Sequence, residues 1–199
     1  MSRILKQGKT TMRAMIAGLG LLLLAPSAQA EFPKTDADFA LLPPYCKAKM
    51  RTERKSPQWS MWNRRLAGGF THIHHYCAAL HTLNQANRIS NPQRKKELMR
   101  SALKNFEYVE THADEDFILR PEISVKKGKL LIRMGRANEA LNAFQDAIRR
   151  KPNYSPAYMA LADFYESVGD KDKALAVVRE GLAKAPNSRG LRRRLRELQ

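Results

Sequence analysis

Apolar residues in the C-terminal part of the chain recur at the spacing of an amphipathic helix. Ala140, Phe144 and Ala147 follow one another at intervals of four and three residues, so one side of a helix carries all three. Gly135 precedes this stripe and Gly169 precedes a second one, and glycine easily adopts the left-handed backbone that ends a helix. The pattern predicts an all-α fold made of helix pairs that are joined by tight turns.

The helix pair occurs twice, with a period of 34 residues. Residues 121–154 align with residues 155–188 without a gap. A helix–turn–helix of this length, with small residues where its helices cross and a closing proline, resembles the tetratricopeptide repeat (TPR), which implies a solenoid of stacked helix pairs. The resemblance rests on Gly128, Leu131, Gly135, Ala140, Phe144, Ala147 and Pro152 in the first unit, and on Tyr158, Leu161, Ala162, Tyr165, Gly169, Ala174, Val178, Gly181 and Pro186 in the second.

The upstream sequence supplies a third, degenerate unit, and about three units are needed for a stable array. Tyr76, Ala79 and Leu83 have the spacing of a first helix, and a second helix begins at Asn91-Pro92, because proline suits the first turn of a helix. We therefore expect about three repeats between two caps. The predicted organisation is a signal peptide (1–30), an N-terminal helical cap segment (31–70), the degenerate TPR-like unit (71–120), two TPRs (121–154 and 155–188) and a C-terminal capping helix (189–199).

The first thirty residues have the order of features found in a secretory signal peptide. Four basic residues precede an apolar run over 14–24, and Ala28-Gln29-Ala30 has the small-x-small pattern that signal peptidase cuts. The apolar run is shorter than the about 20 residues of a membrane-spanning helix. We expect a soluble exported protein, in the periplasm, that begins at Glu31; a retained N-terminal anchor is the alternative.

The charge of the chain limits its partners. The full chain carries a formal charge of +17, and loss of four bases and no acids with the signal peptide leaves +13. Positive charge favours polyanions, and export makes nucleic acid an unsuitable partner. The cluster Arg192–Arg196 is the best local candidate for contact with an anionic envelope surface, although the charge is also explained by solubility alone.

The TPR resemblance implies a concave groove, lined by the first helix of each unit, that binds another protein or an extended peptide. Basic residues at the middle of this groove predict an acidic partner segment. The groove residues implied by the family pattern are His74, His81, Asn84 and Gln85 in the degenerate unit, Lys126, Lys129 and Arg133 in the next, and Met159, Asp163 and Glu166 in the last.

Two cysteines, Cys46 and Cys77, are the only ones in the chain. Exported chains meet oxidising enzymes, so we predict a disulfide that joins the cap segment to the first repeat. Closing a loop of about 30 residues stabilises a fold by roughly 3–4 kcal/mol in the chain-entropy model. We expect Trp59 and Trp62 to pack over the open end of the first repeat, and a carbohydrate-stacking platform is the alternative.

A metal site is the competing use of the histidine-rich stretch His72–His81. His74, Cys77 and His81 share one helical face, with donors that suit zinc or copper. No fourth ligand follows at a recognisable spacing, and the absence of C-x-x-C-H excludes covalent c-type haem. We therefore expect no cofactor, and a metal- or haem-handling protein stays an alternative.

Catalytic motifs are absent from the sequence: it holds no G-x-S-x-G, no H-E-x-x-H and no phosphate or dinucleotide loop. We expect no enzyme. The predicted function is a non-catalytic exported scaffold or adaptor in an envelope-associated assembly, such as a secretion, pilus or polysaccharide system. A basic binder of anionic polysaccharide or lipid is a further alternative.

Overall fold

The computed structural model describes residues 32–199, so the predicted signal peptide lies outside the described residues. Within the described range the chain forms ten α-helices and no strand. None of these helices has the length and apolar character needed to cross a bilayer. The helices are α1 (Asp36–Ala40), α2 (Pro44–Arg51), α3 (Pro57–Arg65), α4 (Ile73–Arg88), α5 (Pro92–His112), α6 (Arg120–Arg133), α7 (Ala137–Arg150), α8 (Ser155–Ser167), α9 (Lys171–Lys184) and α10 (Arg189–Leu198).

The pairs α6–α7 and α8–α9 are two regular helical hairpins, which confirms the predicted all-α solenoid. Small residues let the helices of each pair approach closely: a Cβ added at Gly128 would lie 2.4 Å from the Phe144 ring, and one at Gly181 would lie 2.7 Å from Tyr158. Gly135 ends the first helix of its pair with φ of +75°, a backbone conformation that other residues rarely adopt.

The pair α4–α5 continues the stack on the N-terminal side with a different internal layout. Its second helix has 21 residues, whereas α7 and α9 have 14 each. Tyr76 on α4 and Phe106 on α5 are fully buried between the two helices, with ring centroids 5.9 Å apart. The longer second helix gives this unit a surface that the regular repeats lack.

Helices α1, α2 and α3 pack against the first helix pair and extend its core. Phe39, Leu42 and Tyr45 are each at least 92% buried. Both tryptophans contact core aromatic side chains, since Tyr45 and Trp62 have ring centroids 5.6 Å apart and Trp59 lies 5.3 Å from Phe70.

Helix α10 covers the last repeat at the other end of the stack. Leu191 and Leu198 are buried against α8 and α9, while the arginines between them are mostly exposed. An amphipathic terminal helix of this kind closes the apolar end of a repeat array and keeps its outer side polar.

Candidate partner-binding groove

Three basic residues occupy one exposed face of α6. Lys126, Lys129 and Arg133 are three and four residues apart, so their side chains share one side of the helix. The opposite side contacts α7, where the Ser124 hydroxyl donates to Asp146 at 3.0 Å. Among the described residues none of the three bases forms an ion pair. This face therefore carries three uncompensated positive charges.

A cleft lies beside the basic face, between α6 and α8, with a volume of about 260 Å³. Ile132 is 37% exposed and is one of few large apolar side chains on the described surface. The cleft therefore combines apolar walls with a polar rim. Its lining residues are Lys129, Ile132, Phe144, Ala160, Asp163, Phe164 and Ser167.

The N-terminal end of the predicted groove is covered by the chain itself. The Phe32 ring stacks on His74 with centroids 6.1 Å apart, and an Asp38 carboxylate oxygen lies 3.9 Å from His81 Nδ1. His81 is only 7% exposed. While residues 32–51 lie in this position, these two histidines are not available to a partner, so the open part of the groove is narrower than the sequence predicts.

Two polar side chains of the predicted groove follow His81 on α4. Asn84 and Gln85 are half-buried, and the Gln85 amide nitrogen lies 3.2 Å from His81 Nε2. Gln85 thus belongs to the contacts around the covered histidine.

The two cysteines meet under this covering segment. Cys46 on α2 and Cys77 on α4 are fully buried, with Sγ atoms 2.08 Å apart and Cα atoms 5.6 Å apart. This arrangement is compatible with the predicted disulfide, whose formation in the protein stays a prediction.

The C-terminal end of the groove contacts α10. Arg194 forms ion pairs with Asp163 at 3.1 Å and with Glu166, both on α8. Met159 lies against Gly190, where an added Cβ would be 2.8 Å from the Met159 sulfur. Arg194 therefore pairs with both acids of the predicted groove, which leaves these three side chains with one net negative charge, and the middle of the groove is its most basic part.

One acidic residue of α6 forms a hydrogen bond with the N-terminal unit. Glu122 accepts a hydrogen bond of 2.6 Å from the Tyr76 hydroxyl. Burial, together with the Glu122 carboxylate, raises the pKa of both Tyr76 and Tyr45. Sequence reasoning missed this contact, since a tyrosine and a glutamate 46 residues apart give no spacing signal.

Four of the five histidines form a cluster where α4 begins and α5 ends. The His75 ring lies 3.7 Å from Tyr108, which stacks on His112 at 3.8 Å, and His75 Nδ1 is 2.7 Å from the Asn105 side-chain amide oxygen. His112 and Tyr108 were not expected here, because both lie on the distant helix α5. The cluster comprises His72, His74, His75 and His112.

Two imidazoles of the cluster have a lowered pKa, which favours their neutral form. Burial, reinforced by His75 and Lys49, lowers the pKa of His74 to about 4. Burial and the neighbouring His112 also lower the pKa of His72. Within residues 32–199 no three His, Cys, Asp or Glu side chains are arranged to hold a metal ion.

The proposed metal ligands His74, Cys77 and His81 each contact a different residue of the N-terminal segment: Phe32, Cys46 and Asp38, respectively. These contacts join one face of α4 to the N-terminal segment.

The arginine cluster of α10 is largely engaged with its own surroundings. Arg192 donates to the Pro186 carbonyl at 3.1 Å, and Arg193 lies 3.5 Å from Glu197. Arg194 is held by α8, as described above. Of the predicted anionic-surface residues, Arg196 is exposed and has no ion pair within the described part of the chain.

Comparison with known proteins agrees with this fold. The sequence model of the tetratricopeptide repeat family matches residues 131–196. The structure is similar to that of TTC0263, a thermophilic TPR protein of Thermus thermophilus, with a TM-score of 0.55 and 20% identity over 71% of this chain and 74% of that chain. No curated protein matches the sequence. Residues 131–196 thus match the tetratricopeptide repeat family, and the described chain has the fold of a TPR protein, a fold that suggests a protein-interaction scaffold.

Proposed function

We propose that this protein is an exported, non-catalytic scaffold that binds an acidic segment of a partner protein at the middle of its groove. The observation that carries the proposal is the exposed face of α6, where Lys126, Lys129 and Arg133 have no carboxylate partner within the described chain. Acidic side chains of a partner would supply the missing counter-charges.

The neighbouring helices leave this middle region as the binding surface. Residues 32–51 cover α4, and α10 supplies Arg194 to the acids of α8. Because Arg194 pairs with Asp163 and Glu166, it reduces the repulsion that a negatively charged segment meets from α8. Exposed ion pairs contribute only about 0.2–1 kcal/mol each, so these bases serve association rate and selectivity more than affinity.

Export is supported by two separate features of the sequence. Residues 1–30 have the basic, apolar and small-residue order of a signal peptide. The chain also has two cysteines, which are placed at bonding distance, and disulfides persist mainly in oxidising compartments. A periplasmic scaffold without catalytic motifs is suited to hold components of an envelope-associated assembly together.

Charge reversal on α6 tests the proposed site. The variant Lys126→Glu, Lys129→Glu, Arg133→Glu should weaken binding of a fluorescent Asp/Glu-rich peptide on the order of ten-fold or more, since three ion pairs become repulsions. Fluorescence anisotropy measures this affinity, and rising salt should weaken binding to the unmodified protein.

A second variant controls for overall charge. Lys171→Glu, Arg179→Glu, Lys184→Glu reverses three exposed bases on α9 and lowers the net charge equally. It should leave peptide binding nearly unchanged. Equal weakening by both variants would show that the peptide responds to total charge and would contradict a site on α6.

A further inference from the structure

The cleft between α6 and α8 has features that the basic face alone does not require. Ile132 and Phe164 contribute apolar walls from the two facing helices, and Phe144 contributes from α7. The Phe144 ring reaches the cleft because Gly128 has no side chain in its path, as its 2.4 Å distance to an added Cβ shows. Three apolar side chains therefore meet at one opening of the groove.

Small residues keep this cleft open on the α8 side. Ala160 and Ser167 both line it, and Ala160 is 3% exposed. The volume of about 260 Å³ lies below the roughly 300–1,000 Å³ of sites for drug-sized ligands. The size suits one inserted side chain better than a complete small molecule.

The charges at the rim of the cleft determine which residues are favoured beside the inserted side chain. Lys129 lines the rim and has no ion pair within residues 32–199. On the opposite wall Asp163 lies 3.1 Å from Arg194, a base that it shares with Glu166. The charge at the rim that has no ion pair is therefore the positive charge of Lys129, and it favours acidic neighbours of the inserted residue.

We infer that the α6–α8 cleft is a subsite for one large apolar side chain, of leucine or phenylalanine size, within the acidic segment of the partner. This inference rests on the proposed function and adds to it the apolar anchor. Burial of the anchor supplies affinity that exposed charges do not, while Lys126, Lys129 and Arg133 set the preference for its acidic neighbours.

Two matched peptides test the anchor. Both are Asp/Glu-rich, and they differ only at a central position, which is leucine in one and serine in the other. The leucine peptide should bind roughly ten-fold or more tightly, as expected for burial of one large apolar side chain. Anisotropy titrations at one salt concentration give both dissociation constants.

Variants locate the effect in the cleft. Ala160→Leu fills the cleft and should remove the preference for leucine while acidic binding remains. Ile132→Ser, at a partly exposed position, should reduce the preference even if Ala160→Leu does not fold. Val168→Ser alters a residue that is 59% exposed and lies outside the cleft, so it should change nothing. Circular dichroism verifies that each variant is folded.

The outcomes separate this inference from the proposed function. Equal affinities for the two peptides, with binding still lost on charge reversal of α6, would overturn the anchor and leave the acidic site standing. A leucine preference that survives in folded Ile132→Ser and Ala160→Leu would also overturn it. If neither peptide binds, both proposals are contradicted.

Discussion

The N-terminal unit and the two C-terminal repeats are all helical hairpins, but different kinds of contact stabilise them. In the C-terminal repeats the close contacts are local and lie within one repeat, as with Gly128 against Phe144 and Gly181 against Tyr158. In the N-terminal unit, α4 is held by distant parts of the chain, through Cys46 and through the Tyr76–Glu122 hydrogen bond. A repeat that has lost its regular pattern is thus completed by contacts from outside the repeat.

The same difference decides which part of the groove stays open. The contacts that complete the N-terminal unit cover the face of α4 that carries His74 and His81. On α6 no such covering segment exists within the described chain, so Lys129 and Ile132 reach solvent. The same contacts with α4 therefore complete the first unit and restrict the binding surface.

Removing the cysteine pair should have the largest effect on the N-terminal unit. If Cys46 and Cys77 are joined, Cys46→Ser with Cys77→Ser removes a cross-link that spans 31 residues and lowers the free energy of unfolding by about 2–5 kcal/mol. Denaturant titration measures this loss, and the unmodified protein unfolded under reducing conditions should match the variant. If the variant and the oxidised unmodified protein have the same denaturant midpoint, the bridge does not form.

A methyl group at Gly128 should break the local packing of the C-terminal repeats. The added Cβ would lie 2.4 Å from the Phe144 ring, and such overpacking costs typically about 1–3 kcal/mol. Gly135→Asn is the matched control, because nothing lies within 4 Å of its added Cβ and asparagine tolerates its positive φ. Thermal unfolding should show a clearly lower midpoint for Gly128→Ala than for Gly135→Asn.

The histidine cluster should make the stability of the protein sensitive to mild acid. The pKa of His74 is about 4 in the folded protein, against 6.5 for the free side chain, so the unfolded chain binds more protons between these values. The contribution of His74 to the free energy of unfolding is therefore fully present above about pH 6.5 and is lost as the pH decreases toward 4. Lys49 and the neighbouring imidazoles oppose protonation, while Asp114 favours it at His72.

The variant His74→Gln should flatten this dependence. Denaturant titrations between about pH 7 and pH 4.5 measure it, and contributions of Asp38, with a pKa of about 2, appear only at lower pH. A slope that is identical with and without the imidazole would exclude His74 as its source.

Local features of the sequence predicted the regular part of the fold. Gly135, Gly169 and the stripe of Ala140 and Phe144 act within one repeat, so their spacing along the chain is also their arrangement in space. The TPR resemblance implied that Lys126, Lys129 and Arg133 line the groove, and the structure shows these three residues exposed on α6.

The covered parts of the site could not be found in this way. The contacts that cover it join residues that lie far apart in the sequence: Phe32 with His74, Asp38 with His81, and Arg194 with Asp163. No periodic pattern records such contacts, because they depend on how the two caps fold back over the repeats. The family pattern placed all ten groove residues on one continuous surface. In the structure the two caps contact the two ends of this surface.

The central claim is tested most directly by asking whether charge reversal on α6 also reverses the charge of the peptide that the protein prefers. Matched acidic and basic peptides are titrated against the unmodified protein and against the variant Lys126→Glu, Lys129→Glu, Arg133→Glu. The unmodified protein should prefer the acidic peptide, and the variant should prefer the basic one, because the α6 face sets the sign of the partner. If the variant retains the preference for the acidic peptide, the binding surface lies elsewhere.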